Sequence, residues 1–156
     1  MPDDLVALEA VFQSSVRGPA SSHYDAAQIA AWTGDAADAA SRAWRIAHDM
    51  PWVAELDGRA IGFADLQPDG LIDMFFVAAG HTGRGAGRML MAHIEAAARH
   101  RGLARLYADV SRAAEGFFTH VGFTLERRQT TFRHGVALDN ARMVKLLAGG
   151  PGRPGR

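Results

Sequence analysis

A glycine-rich segment between a predicted strand and a predicted helix constrains the fold of this chain more than any other feature. The segment reads Thr-Gly-Arg-Gly-Ala-Gly-Arg over residues 82–88. The apolar run 71–77 precedes it and predicts a strand, and residues 88–101 follow as an amphipathic helix. A helix N-terminus offers free main-chain N–H groups and a partial positive charge, which together bind phosphate. The segment therefore predicts an α/β protein with a phosphate-bearing ligand.

The spacing of the glycines distinguishes this loop from two common nucleotide-binding loops. Gly80 and Gly85 have the spacing of a P-loop, but residues 86–87 are Ala-Gly where that motif needs Lys and then Ser or Thr. The dinucleotide fingerprint G-x-G-x-x-G begins at Gly83 and fails at Arg88. That fingerprint also follows the first strand of a parallel sheet, whereas three antiparallel-looking strands precede this loop. The sequence therefore argues against both nucleotide folds.

Hydrophobic periodicity and turn residues predict the order of the other elements. Predicted helices cover residues 3–16, 25–32, 36–47, 88–101 and 111–121, with Asp25 and Gln28 as a capping box and Ser111 as the cap of the last helix. Predicted strands cover residues 52–56, 59–66, 71–77, 105–110, 123–132 and 136–147, and Asp57-Gly58 predicts a hairpin turn. This order predicts the α/β (α+β) class, a mixed, mostly antiparallel sheet flanked by helices.

Length and composition predict one globular domain over residues 1–148. The chain has 156 residues, of which 48% are hydrophobic and 22% charged. Residues 149–156 are only Gly, Pro and Arg, which predicts a disordered tail. Basic and acidic residues number 17 each, so an overall basic surface for nucleic acid is absent. There is no cysteine, no apolar run long enough for a membrane span and no signal-peptide pattern, and we expect a cytoplasmic protein.

Two stretches of the chain resemble the GNAT superfamily of acetyl-CoA-dependent N-acetyltransferases. In the glycine loop, Thr82, Gly85 and Gly87 occupy the defining positions of the family pattern Q/R-x-x-G-x-G/A. Thr82 stands where the family usually has Gln or Arg. Residues 111–123 resemble the second family pattern, small polar-x-x-A-x-x-F-Y-x-x-x-G-F, with Phe118 at the tyrosine position. Many members begin with a strand ahead of the first helix, whereas this sequence opens at the helix. The resemblance therefore implies either a start that is assigned too short or a sheet that lacks or shortens this strand.

The resemblance implies both the reaction and its cofactor. In the family a substrate amine attacks the thioester of acetyl-CoA directly, so acetyl-CoA is the expected co-substrate and no metal is expected. Main-chain groups of Phe75 and Val77 are expected to hold the cofactor, and the amides of residues 82–88 its pyrophosphate. The cofactor-binding residues implied in this way are Phe75, Val77, Thr82, Gly83, Arg84, Gly85, Ala86, Gly87, Arg88, Ser111, Ala114, Phe117 and Phe118.

The catalytic candidates follow from the movement of protons. An amine must lose a proton, and Asp73, a carboxylate in an otherwise apolar strand, is the candidate base. Its alternative role is structural, as the partner of an arginine. Phe118 stands where many family members have a tyrosine that protonates the leaving thiolate, and phenylalanine has no proton to donate. Ser111, His120, Tyr107 or solvent are the candidates for that step.

The acceptor is expected to bind at the first two helices, the loop between them and the last hairpin. His23, Tyr24 and Trp32 are the candidate substrate contacts, because a polar and aromatic set can line an amine pocket. Core packing is the alternative role of Trp32, and surface exposure that of His23 and Tyr24. Trp44 and Trp52 are expected in the core.

The predicted function is transfer of an acetyl group from acetyl-CoA to a primary amine of a small molecule or peptide. The alternative is a non-catalytic acyl-CoA-binding regulatory module, which Phe118 favours. Acetylation of charged tRNA is disfavoured by the zero net charge and by the single lysine, Lys145. We expect no nucleic-acid or membrane partner, and a homodimer is among the expected assemblies because dimers are common in the family.

Overall fold

The computed structural model describes residues 2–18, 23–83 and 85–147, so the predicted tail lies outside the described residues. The helices are α1 (Pro2–Arg17), α2 (Ala26–Thr33), α3 (Ala36–Asp49), α4 (Ala86–His100) and α5 (Glu115–His120). The strands are β1 (Trp52–Leu56), β2 (Arg59–Ala64), β3 (Phe75–Val77), β4 (Arg105–Ser111), β5 (Thr124–Arg133) and β6 (Val136–Leu146). Within these ranges no strand precedes α1. The predicted class, antiparallel sheets flanked by helices, is confirmed.

Local sequence signals form as predicted at two of the turns and caps. Asp25 and Gln28 make the reciprocal capping box at the start of α2, with N···O distances of 2.8 and 2.9 Å. Asp57 and Gly58 have φ of 53° and 77°, as the two-residue turn between β1 and β2 requires.

The strands form two antiparallel sheets, in the orders β1-β2-β3 and β4-β6-β5. The segment 71–77, predicted as one strand, contributes to both. Leu71 makes a parallel bridge with Tyr107, and the Ile72 N–H donates to the Tyr107 carbonyl at 2.8 Å. From Phe75 onward the segment pairs with β2 instead. Because it leaves β4 in this way, β3 and β4 diverge as the two sides of a V.

The buried carboxylate of Asp65 binds the main chain at the point where β3 separates from β4. Its side chain is 1% exposed. Oδ1 accepts hydrogen bonds from the main-chain N–H groups of Asp73 (2.9 Å) and Met74 (2.8 Å), and Gln67 donates to Oδ2 at 2.7 Å. Main-chain N–H groups that leave a ladder need a new partner when they are buried, and this carboxylate supplies it. Burial raises the pKa of Asp65 to about 6.

Helices cover both faces of the strands. Helix α4 packs its buried residues Leu90, Met91, Ile94 and Ala98 on one face. Helices α1, α2 and α3 pack on the other, around Phe12, Ile46 and Phe63. Within the described residues, no helix combines the length and apolar character that a membrane span requires.

Two predictions about individual residues are wrong. Trp44 was expected in the core but is 66% exposed, because α3 turns Arg42 and Ile46 inward and leaves Trp44 on the opposite side, where it stacks on His48. Trp52, the other expected core tryptophan, is half-buried against the core. Ser111 was expected to cap a helix over 111–121. It is instead the last residue of β4 and makes no capping hydrogen bond, and a 3₁₀ turn leads from it to α5.

Candidate functional site

A cavity of about 820 Å³ occupies the V between β3 and β4. Its wall includes both strands, the glycine loop, α5, residues of α1 to α3 and the β5–β6 hairpin. The sequence-predicted site residues in this wall are Tyr24, Trp32, Asp73, Phe75, Val77, Thr82, Gly83, Gly85, Gly87, Arg88, Ser111, Ala114, Phe117, Phe118 and His120. His23 is exposed outside it, and Ala86 is buried beneath the start of α4. Arg84 lies outside the described residues.

The edge of β3 that faces the cavity carries main-chain groups that pair with no other strand in the described part of the chain. In an antiparallel ladder every second residue bonds to the neighbouring strand. Residues 74 and 78 form the bonds to β2 that frame β3, at 3.0 and 2.8 Å. The intervening residue 76 therefore also faces β2, and the N–H and C=O groups of Phe75 and Val77 point into the V. These are the two residues whose main chain was predicted to hold the cofactor.

The N-terminus of α4 supplies free donors at one end of the cavity. No side chain among the described residues caps this helix, and its first turn has no acidic residue. The first helical hydrogen bond runs from the Met89 N–H to the Gly85 carbonyl at 2.9 Å. The N–H groups of residues 85–88 are therefore left without a helical partner. Together with the helix dipole they make this end of the cavity electropositive.

Two different structural features require glycine in this loop, namely a positive φ at some positions and a close contact at another. Gly80, Gly83 and Gly85 have φ of 86°, 76° and 89°, and a Cβ added to any of them would meet no atom within 4 Å. Backbone conformation, rather than crowding by the protein, therefore requires glycine there. At Gly87 an added Cβ would lie 3.0 Å from the ring of Phe117. That glycine allows the start of α4 to pack closely on α5.

A cation and a histidine lie beside the free helix donors. The Arg88 guanidinium donates a short hydrogen bond to Nε2 of His120, which joins α4 to the end of α5. Nε2 therefore acts as the acceptor, and only Nδ1 of His120 is left for proton transfer. The positive charge of Arg88 therefore lies at the same end of the cavity as the free helix donors.

Phe118 is part of an aromatic cluster rather than an exposed group. It is 2% exposed and packs edge-on against Phe75, Phe117 and Phe123, with ring centroids 5.4, 5.7 and 5.0 Å away. The cluster joins β3 to α5 across the base of the V. Phe118 therefore provides an apolar wall and no proton. Tyr107, another candidate acid, lies outside the cavity wall and donates its hydroxyl to Asp69.

Asp73, the candidate base, lies at the cavity wall in an ion pair. Its carboxylate accepts from Arg45 of α3 at 2.8 Å, and both side chains are about one-third exposed (35% and 37%). Asp49, Asp65 and Asp73 bring carboxylate oxygens within 4.8 Å of one another. Protein donors already reach this group, since Gln67 bridges Asp49 and Asp65.

Aromatic and polar residues of the helices and the last hairpin line the other end of the cavity. Tyr24 and Trp32 pack edge-on with their ring centroids 5.6 Å apart. The Tyr24 hydroxyl accepts from the Arg112 N–H at 2.9 Å and donates to the Asp139 carbonyl at 2.6 Å. Burial raises the pKa of this phenol, which therefore stays protonated at neutral pH.

Sequence reasoning missed several polar residues of this wall. Arg42 is buried, lies over the Phe12 ring and forms two hydrogen bonds with Glu9, at 2.9 and 2.7 Å. Arg45 was missed in the same way, because a cation in an amphipathic helix is usually solvent-facing. Asn140 of β6 lines the cavity with a buried Oδ1 that has no partner among the described residues. The sequence did contain a signal for Asn140. It lies two residues after Leu138 in β6, so its side chain points to the same face of the sheet as the buried Leu138.

The chain is similar to known acetyltransferases in sequence and structure. The model of the Acetyltransferase (GNAT) family matches residues 13–123. The uncharacterized N-acetyltransferase YafP of Escherichia coli (strain K12) is 30% identical over 141 residues, which cover 89% of this chain and 87% of that protein. A GCN5-related N-acetyltransferase from Rhodopseudomonas palustris superposes with a TM-score of 0.88 at 34% identity, covering 94% and 92% of the two chains. PaiA N-acetyltransferase from Thermoplasma acidophilum, solved with coenzyme A, shares the fold, with a TM-score of 0.71 at 17% identity and coverage of 93% and 94%.

Proposed function

The chain belongs to the acetyltransferase (GNAT) family, and on this premise we propose that it transfers the acetyl group of acetyl-CoA to a primary amine of a small molecule or peptide. One observation carries the proposal. A single cavity joins an anion-binding helix N-terminus to an open strand edge, and these are the two features that a ligand with a pyrophosphate and an amide-containing arm requires.

The residues present fit this cofactor. The free N–H groups of residues 85–88, with the charge of Arg88, hold the pyrophosphate. The N–H and C=O groups of Phe75 and Val77 pair with the amides of the pantetheine arm, as a further strand would. Ala114 and Phe117, at the start of α5, form the opposite wall. The small side chain at residue 87 keeps α4 and α5 close together at this point.

Acetyl-CoA supplies an activated acetyl group, which passes to the amine nitrogen while the thiol leaves. At the reacting centre the Phe75 N–H would stabilise negative charge on the thioester oxygen, in a wall kept dry by Phe118. An ordinary thiol has a pKa of about 8.5, so water can protonate the leaving group without a side-chain acid. Ser111 and His120 lie in the same wall, and His120 has only Nδ1 available.

The acceptor amine enters from the end lined by Tyr24 and Trp32. Aromatic rings attract ammonium groups, and Tyr24 and Trp32 are the aromatic residues of this part of the wall. Asp73 is the proposed base, acting on the amine directly or through water, and Arg45 orients its carboxylate.

Calorimetric titration with acetyl-CoA tests the cofactor site. Gly85→Gln places a side chain where the pyrophosphate is expected to bind, and we expect binding to be lost. Gly58→Gln is the matched control, because Gly58 also has a positive φ (77° against 89°) and open space around it, but lies in the β1–β2 turn. The control carries the same backbone strain and should bind as the wild-type protein does. Loss of binding in both variants, or in neither, would contradict this site.

Thiol release in the presence of an amine panel then tests the reaction. Turnover by the wild-type protein supports the transferase, and Asp73→Asn is expected to lower kcat. Binding of acetyl-CoA with no turnover on any amine would instead favour the non-catalytic regulatory module, the reading that the buried Phe118 supports.

A further inference from the structure

Two polar side chains in the cavity wall have no partner among the described residues. Oδ1 of Asn140 is buried and accepts no hydrogen bond, and the Ser111 hydroxyl makes none either. A buried polar atom left unpaired is destabilising, so the Asn140 oxygen calls for a reason, whereas Ser111 is only half-buried. Both residues line the cavity.

Strand register places these two side chains against each other. Ser111 and Asn140 are direct cross-strand partners in the β4–β6 ladder. The Tyr107 N–H donates to the segment before β3, so the main-chain groups of Tyr107 point away from β6. Main-chain direction alternates along a strand, so those of Ser111, four residues later, also point away from β6. Ser111 and Asn140 therefore form a non-hydrogen-bonded pair, whose side chains share one face and approach most closely. In the preceding non-hydrogen-bonded pair, Arg142 Nε lies 2.6 Å from Asp109 Oδ1.

A third residue fixes the two strands at this pair. The Tyr24 hydroxyl bridges Arg112, which follows Ser111, and Asp139, which precedes Asn140, at 2.9 and 2.6 Å. Because Tyr24 is buried, this bridge leaves little freedom for β4 and β6 to separate. With the strands held in this way, a change of the Ser111 side-chain rotamer, and not of the backbone, is the movement that would bring its hydroxyl to the asparagine oxygen.

We infer that Asn140 is a positioning residue that acts through Ser111 on the acceptor amine. Oδ1 of Asn140 accepts the hydroxyl hydrogen of Ser111, and the oxygen lone pairs of Ser111 then face the cavity. There they accept a hydrogen bond from the N–H of the attacking amine and orient its nitrogen lone pair toward the thioester. The inference rests on the proposed function for the identity of the amine. It assigns Ser111 to the nucleophile and not to the leaving thiol.

Selective isotope labelling tests the pair in the free protein. Asn140 is the only asparagine in the chain, so ¹³C,¹⁵N-asparagine gives a single side-chain carboxamide signal. Loss of a hydrogen bond to its oxygen moves the ¹³Cγ resonance upfield. We expect this shift in Ser111→Ala, and little change in Ser111→Thr, which keeps a hydroxyl. Ser41→Ala, on the exposed side of α3, is the control. An unchanged ¹³Cγ resonance in Ser111→Ala would overturn the pair.

Kinetics test the action on the amine. Ser111→Ala and Asn140→Leu are each expected to lower kcat about tenfold, the effect of one hydrogen bond of about 1.4 kcal/mol, with the KM for acetyl-CoA within about twofold of the wild-type value. Because Asn140 acts through Ser111, the double variant should be no slower than either single one. Independent effects that multiply to about a hundredfold would overturn the inference.

The two proposals fail in different ways. Absence of turnover in the wild-type protein would overturn the proposed function and with it the amine role of Ser111. An active enzyme in which the two effects multiply, or the ¹³Cγ resonance does not move, would overturn the Asn140–Ser111 pair and leave the transferase intact.

Discussion

Replacing Asp65 with asparagine should make the protein more stable at neutral pH and no more stable in mild acid. The carboxylate is buried, and its pKa is raised from 3.8 to about 6, mainly by that burial. The folded protein therefore binds the Asp65 proton more tightly than the unfolded chain does, and stability falls as the pH rises from about 4 to above 6. The amide of the Asp65→Asn variant has no such titration.

The magnitude follows from the two pKa values. The interval between 3.8 and about 6 corresponds to about 3 kcal/mol of lost stability once both states are ionised. About 2 kcal/mol of this falls between about pH 4.5 and about pH 7.5. The amide oxygen still accepts from the Asp73 and Met74 N–H groups. Its NH₂ group instead faces the Gln67 amide, which must rotate and give up its bond to Asp49, at a cost of about 1 kcal/mol at every pH.

Urea denaturation across this pH range is the assay. The variant should match the wild-type protein near pH 4.5 and exceed its free energy of unfolding by about 2 kcal/mol near pH 7.5. Carboxylates distant from Asp65 are common to both proteins and cancel in the difference, and Asp73, whose charge contributes to the raised pKa of Asp65, is the neighbour that can differ. Asp49→Ala, which removes the bond between Gln67 and residue 49 but leaves Asp65 in place, is the control for the pH-independent part. A difference that is constant with pH, or that falls as the pH rises, would refute the reasoning.

Three further variants test the cavity wall. Arg42→Ala leaves Glu9 without its partner in a half-buried site, and should lower the free energy of unfolding by about 3 kcal/mol in urea denaturation. Tyr24→Phe leaves two main-chain groups without their hydroxyl partner, and should cost about 2 kcal/mol by the same measurement. Arg88→Ala should weaken acetyl-CoA binding about tenfold in calorimetry and reduce its dependence on salt, because one charged contact is lost. Unchanged values in any of these would show that the named contact contributes nothing.

Features set by neighbouring residues could be predicted from the sequence. The turn at Asp57-Gly58 and the capping box of Asp25 and Gln28 depend on two to four residues, and both form as expected. The glycine loop is similar, because the positive φ of Gly83 and Gly85 and the free helix N-terminus are local properties. The glycine loop, together with residues 111–123, carried the resemblance to the family that the comparisons show.

Features set by distant contacts could not be predicted in this way. Hydrophobicity alone placed Trp44 in the core, whereas the inward face of α3 is decided by the bonds of Arg42 to Glu9, 33 residues away. The strand predicted over 71–77 divides because a carboxylate of the preceding strand end, at Asp65, takes its N–H groups. The proposed role of Asn140 depends on the strand register that pairs it with Ser111, and this register could not be predicted from the sequence.

Asp65 couples the stability of the fold to the geometry of the candidate site. Asp65 takes the N–H groups of residues 73 and 74 at the point where β3 leaves β4, and the unpaired edge of β3 begins at the next residue, Phe75. A neutral amide can hold the same two N–H groups at lower electrostatic cost, so stability alone does not explain a carboxylate here. The charge instead draws Gln67 toward it, and Gln67 in turn reaches Asp49 at the end of α3. Through Arg45 and Asp73 that helix also touches the cavity, so the carboxylate ties the helix that orients the proposed base to the strand that presents the proposed oxyanion donor.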